Sequence, residues 1–178
     1  MRADAERNRA KILDAAEEVF AADGAAARTE DVARRAGVAV GTVFRHFATK
    51  EDLIRAIMKR LLDGLLDRAG VLTGADGLEI FFAELVAAAA ARRTVVALAG
   101  VDLAAAMAGL AEAVARLLRQ AQQAGAVRAD VGPAEVMALL TSLCQGALHG
   151  GWDDTLQRRT LTIVRVGLSQ DPRGEVAR

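Results

Sequence analysis

The sequence predicts an all-α protein: a three-helix N-terminal head, a long connecting helix and a helical C-terminal domain. Three observations carry this. Hydrophobic residues make up 53% of the 178 residues while aromatics supply only 3%, with no tyrosine. Such an alanine- and leucine-rich pool suits helices, since strands draw on β-branched and aromatic side chains. Only two prolines, Pro133 and Pro172, interrupt the chain, and its apolar residues recur at helical spacing of three and four.

The first helix is predicted from about Ala5 to Ala22, with Ile12, Leu13, Ala16, Val19 and Phe20 as its buried stripe and Gly24 as its stop. A second, short helix follows from Thr29, whose hydroxyl is expected to cap it, with Glu30 and Asp31 in the positive first turn. Gly37 ends that helix, as the residue that enters the left-handed region at little cost. After the turn Val38-Ala39, a third helix buries Val43 and Phe47 and is expected to turn Val40, Gly41, Thr42, Phe44, Arg45 and His46 outward. Two short helices around a glycine turn, the second with a thin polar outer face, form a helix-turn-helix. An arginine on that face has donors matched to both major-groove acceptors of guanine. His46 is read as a phosphate contact rather than a metal ligand, because no other histidine or cysteine lies within ligand spacing. The first turn of the second helix, at Thr29, also suits a phosphate.

The fourth helix starts at Thr49, with Asp52 reaching back as a capping box. It runs on through Ile54, Ile57, Met58, Leu61, Leu62 and Leu65, further than a small head requires. Gly70, Gly74 and Gly77 mark the boundary, giving expected domains of 1–66 and 67–178. Beyond it, helices are predicted from about Gly77 to Arg92, from Val101 to Gln123 with a break near Gly109, and from Pro133 through Ala147. Pro133 is placed as a first helical residue. Gly150-Gly151-Trp152 breaks that run, and Asp153 or Asp154 caps a last helix to about Leu168. The tail from Gln170 is polar and expected to be loose.

Charge excludes little. The chain carries 23 basic and 23 acidic residues, and residues 1–60 hold 12 Lys+Arg against 10 Asp+Glu, so placement matters more than total. One cysteine, Cys144, fits a reducing compartment, and the charged start MRADAERNRAK lacks the apolar core of a secretion signal. The richest apolar run, Ile80 to Ala91, is too short to span a bilayer. A cytoplasmic protein with no membrane partner is expected. Catalysis has no visible constellation: Cys144 and His149 lie five apart and diverge on one helix, and the only serines are Ser142 and Ser169. No nucleotide-binding glycine spacing, cofactor motif or metal-ligand cluster is present.

The segment from Arg9 to Leu61 resembles the DNA-binding domain of tetracycline-repressor (TetR) family transcriptional regulators. The resemblance lies in Ile12-Leu13-Asp14-Ala15-Ala16, Val19-Phe20-Ala21, Gly24, Thr29, Asp31-Val32-Ala33, Ala36-Gly37-Val38, Gly41-Thr42, Phe44-Arg45-His46-Phe47 and Lys50-Glu51-Asp52-Leu53. It runs over four consecutive helices without gaps. Two positions depart: Ala39 stands where Ser or Thr is usual, removing a side-chain cap, and Phe44 stands for a tyrosine, removing a hydroxyl. The resemblance implies that Lys50 approaches backbone phosphates. It also implies a homodimer in which the last two helices pair with their copies through Val136, Leu139, Leu140, Leu143, Leu161, Val164 and Leu168. The implied function is binding to double-stranded DNA at a palindromic operator, as a repressor released by a small molecule whose binding moves the fourth helix. Composition suggests an apolar or amphipathic effector, lined by Phe81, Phe82, Met107, Met137 and Trp152. Two other classes compete, an enzyme with an idle head and a helical scaffold that binds no DNA. The missing catalytic set argues against the first, and Arg45, His46 and Lys50 standing together argue against the second.

Overall fold

In the computed structural model, residues 2–100 and 107–169 are described. The described secondary structure is helical: α1 Arg2–Asp23, α2 Thr29–Ala36, α3 Val40–His46, α4 Lys50–Val71, α5 Gly77–Ala91, α6 Arg93–Ala99, α7 Ala111–Gln123, α8 Pro133–Gly150 and α9 Asp154–Leu168. A single 3-10 turn, Gly24–Ala26, follows α1. No helix among the described residues is long and apolar enough to cross a membrane. The chain divides into two compact units, residues 1–63 with 94–101, and residues 64–93 with 102–178.

The first unit is built as its apolar stripes dictate. Ile12, Leu13, Ala16, Val19 and Phe20 of α1 are buried together with Val32 and Ala33 of α2, Val43 and Phe47 around α3, and Leu53, Ile54, Ile57 and Met58 of α4. Gly37 has φ 68° and ψ 34°, and Val38 N–H donates to the Ala33 carbonyl at 3.0 Å, closing α2 as the glycine predicts. Thr49 caps α4, accepting from the Asp52 N–H at 3.0 Å. Arg60 clasps Asp14 and Glu17 of α1.

Three details differ from expectation. The cap of α2 falls on Arg28, in extended geometry and with no side-chain bond, so Thr29 is the first helical residue and not the cap. The chain turns into the helix one residue earlier, and the Arg28 carbonyl takes the first bonds, from Asp31 and Val32. Second, a helix absent from the sequence reading, α6, carries Val95, Val96, Leu98 and Ala99 onto the first unit's core. Its run of Thr94, Val95 and Val96 is poor in helix propensity, so packing overrides it. The units therefore do not follow the expected 1–66 and 67–178 split. Third, only Met107 onward of the helix expected at 101–123 is described. It breaks near Gly109 before α7, and residues 101–106, like the tail from Gln170, lie outside the described residues.

The second unit packs α5, α7 and α8 around Phe81, Phe82, Leu85, Val86, Leu110, Val114, Leu117, Leu118, Val136, Leu140, Leu143 and Cys144. Pro133 opens α8 and Asp153 caps α9 through the Leu156 N–H at 2.7 Å, both as expected. Trp152 packs on the last turns of α8, where a Cβ at Gly146 would come within 2.5 Å of its ring.

Candidate nucleic-acid interface

The face of α3 follows from the spacing of its apolar residues. Val40, Val43 and Phe47 fall on one stripe, at i, i+3 and i+7. Val43 and Phe47 are buried, and Val40 packs partly against the same core. This corrects the expectation that Val40 faces outward. The opposite stripe exposes Gly41, Phe44 and Arg45, with Thr42 at its half-buried edge. Phe44 is 49% exposed, the only large apolar side chain of the first unit described as exposed. His46 is half-buried, its ring tilted against that of Phe47 with centroids 6.3 Å apart. Ala39, in cap position, makes no side-chain bond, as its methyl group requires.

Lys50 takes a different place from the one the resemblance implied. Its ammonium donates to the carbonyls of Ala25 and Ala27, both at 2.8 Å, and lies 5.5 Å from the centre of the Phe20 ring. Two of its three donors thus fasten the connection between α1 and α2 to the start of α4. Thr29 is half-buried in the first turn of α2, beside Glu30 and Asp31.

Most other cations of this unit are neutralised locally. Arg7 pairs with Asp4, Arg34 with Asp31 and Arg35 with Glu18. Arg55 pairs with Asp52 at 2.8 Å, and Lys59 with Asp63 at 2.8 Å. The Thr49 hydroxyl, and after it Arg55, holds the Asp52 carboxyl below its ordinary range. Among the described residues Arg45 has no such partner, so its guanidinium is available to a ligand.

In the second unit, a cavity of about 300 Å³ opens between α5, α9 and the turn at Ala126-Val127. Phe82, Leu161, Val164 and Leu168 form its apolar wall, and Asp76, Glu79, Arg158, Thr162 and Arg165 its polar part. Glu79 and Arg165 face one another at 3.4 Å. Of the five residues proposed from composition, only Phe82 lines this cavity. Phe81 and Met107 are buried core, Met137 packs against that core, and Trp152 covers Gly146 and Gly150.

The residues expected at a subunit contact separate into three sets. Val136, Leu140 and Leu143 are buried inside the unit, while Leu161, Val164 and Leu168 pack against its core and wall the cavity. Leu139 alone among them is exposed, at 38%. What α9 turns outward instead is Leu156, Ile163 and Val166, at 46%, 73% and 61%. From the sequence Leu156 reads as part of the same stripe as Leu161, Val164 and Leu168, and Ile163 and Val166 are not singled out. Both stripes have helical spacing, so spacing alone does not separate inner from outer. Cys144 is buried, and burial pushes its thiol up to about 12, far from a nucleophile's range. Among the described residues no three metal-ligating side chains come together.

Residues 12–57 match the model for bacterial regulatory proteins of the tetR family. Residues 74–170 match that for the C-terminal domain of SbtR-like transcriptional regulators. A TetR transcription regulatory protein from Mycobacterium vanbaalenii shares 34% identity and superposes with a TM-score of 0.75, over 95% of this chain and 99% of that one. The TetR regulator SCO0520 from Streptomyces coelicolor shares 31% identity at a TM-score of 0.71, over 90% and 98% of the two chains. The regulator UidR of Escherichia coli is 28% identical over 83% of each chain. The match to SrpR of Pseudomonas putida is 46% identical but local, spanning 32% of this chain and 27% of that protein. A second Pseudomonas putida regulator, TtgW, is matched over 42% of its own length. Identity is thus higher over the short local matches, and the fold extends over nearly the whole chain. The chain belongs to the tetR family of bacterial transcriptional regulators.

Proposed function

We propose that this protein is a homodimeric, cytoplasmic repressor that binds a palindromic operator through α3 and leaves it when a small molecule fills the second unit. One observation carries the DNA-binding part. The outer stripe of α3 pairs a half-exposed Phe44 with an unpartnered Arg45, while Val43 and Phe47 lock the helix from below. A guanidinium held there bonds guanine O6 and N7, and Phe44 offers an apolar contact to a thymine methyl. Gly41 leaves room for close approach, and Thr42 and His46 stand at the edges for phosphates.

Dimerisation is supported by the outward stripe of α9. Leu156 and Ile163 are seven residues apart, two turns on one face, and Leu139 of α8 adds to the exposed apolar surface. Isologous pairing of these helices gives a two-fold dimer with two α3 helices, the number a palindrome with half-sites about 34–36 Å apart requires. The cavity between α5 and α9 supports an amphipathic effector. Ala83 lines it, and the next residue, Glu84, holds Arg68 near the end of α4 with bonds of 2.8 and 2.9 Å. A ligand that displaces α5 pulls on α4 through this pair, and α9 carries the cavity on one side and the dimer stripe on the other. Such a ligand acts only by binding the two conformations unequally.

The test is a mobility-shift titration with the DNA upstream of the protein's own gene. Arg45→Ala is expected to weaken binding by about 1–3 kcal/mol and to relax preference at one position per half-site. A variant as tight and as selective as the parent removes α3 from base reading.

A further inference from the structure

We propose that Arg9 of α1 is a second DNA contact, a phosphate clamp seated beside the end of α3; this rests on the DNA-binding reading above. With the ion pairs of the first unit set aside, the cations of the described side chains from 4 to 63 that bond neither carboxylate nor carbonyl are Arg9, Lys11 and Arg45. Arg9 differs from Lys11 in being held. Its guanidinium carbon lies 5.3 Å from the centre of the Phe47 ring.

Phe47 is the residue that ends α3, directly after Arg45 and His46, and it is buried against the core. The seat is therefore fixed, at the end of the helix whose outer stripe carries Arg45. Stacking engages the flat face of a guanidinium and leaves its edge N–H groups free. Those donors form the fork that grips two phosphate oxygens, and a side chain already held on a ring has less freedom to lose on binding. Lys11 lies about 200° further round α1, away from this ring. A sequence whose net charge says little about DNA thus keeps two guanidinium groups unpaired among the described residues, Arg45 on α3 and Arg9 on the ring that ends it, one for bases and one for backbone.

The experiment measures affinity of the full chain for operator DNA and for unrelated DNA over a series of salt concentrations. Arg9→Gln is expected to weaken both DNAs by the same factor. It should also reduce the slope of log K against log salt by about 0.9 per head, the value for one phosphate. Arg9→Lys should regain most of the slope, because the charge returns. Lys59→Gln, which removes an ion-paired charge of the same sign, should leave the slope within error of the parent. Melting of Arg9→Gln should match the parent, since the side chain is exposed. An unchanged slope in Arg9→Gln, with the parent binding normally, overturns the clamp and leaves the DNA-binding reading intact. A lowered melting temperature with an unchanged slope also overturns it and makes Arg9 a packing residue. A parent that binds neither DNA overturns both.

Discussion

The α2–α3 pair and the α8–α9 pair both leave apolar side chains in the open, for different reasons. In α3 the apolar residues form one inner stripe, Val40, Val43 and Phe47, and Phe44 stands alone opposite it beside Arg45. In α9 there are two stripes. Leu161, Val164 and Leu168 turn inward, and Leu156, Ile163 and Val166 turn out. A helix with one stripe announces its inside. One with two requires its neighbours before inner and outer can be told apart, and only the outer stripe is available to a second subunit.

The sharpest break of this comparison is a charge placed on each kind of stripe. Leu140→Asp puts an unpaired carboxylate into a fully buried position. It should destabilise the second unit by several kcal/mol and lower helicity in circular dichroism. Ile163→Asp, at a position 73% exposed within the subunit, should leave helicity intact and halve the mass in light scattering. A folded dimer from Ile163→Asp would take α9 out of the subunit contact.

Next in size is the Trp152 seat. Gly146→Ala brings a methyl group within 2.5 Å of the indole, and the overpacking should cost about 1–3 kcal/mol. Trp152 is the chain's single tryptophan, so its fluorescence should shift to the red as the ring is displaced. An unmoved emission maximum would mean the ring is not held there.

A smaller effect separates fastening from reading in the first unit. Lys50→Ala removes two bonds from an ammonium to backbone carbonyls and should lower stability by about 1–2 kcal/mol. The salt dependence of DNA binding should stay that of the parent. A reduced slope with unchanged melting would return Lys50 to the phosphates.

The least effect is expected at the cap of α4. The Thr49 hydroxyl and Arg55 hold the Asp52 carboxyl below its ordinary range. Its contribution to stability is therefore complete above the unfolded value, near pH 4, and is lost as pH falls through the lower folded value. Thr49→Ala should cost about 1 kcal/mol and let the Asp52 titration, followed by NMR, rise toward the ordinary carboxylate range. A titration that stays put would show that the hydroxyl does not set it.

How much was legible in the sequence follows the same division. Gly37, Val43, Phe47, Thr49, Pro133 and Asp153 each have one physical reason to be where they are, and each behaves as read. The bonds of Lys50 are not legible because a positive side chain at a helix start serves equally as a phosphate ligand or as a donor to nearby carbonyls, and the carbonyls of Ala25 and Ala27 come from a turn distant in sequence. Helix α6 is not legible because β-branched residues hide it and tertiary packing forms it. Aromatic residues and methionines named for the pocket are mostly core, since size and softness suit both roles. The cavity wall comes from α5 and α9 together, and no local pattern joins them.

We propose above that two α3 helices, held together through the outer stripe of α9, read one operator. Hydroxyl-radical footprinting of the upstream DNA, with parent and Ile163→Asp side by side, tests it most directly. The parent should protect two symmetric patches centred about one helical turn apart, and Ile163→Asp should lose both at concentrations where the parent saturates. A single unsymmetric patch that persists in Ile163→Asp, or no protection by the parent, would contradict the account.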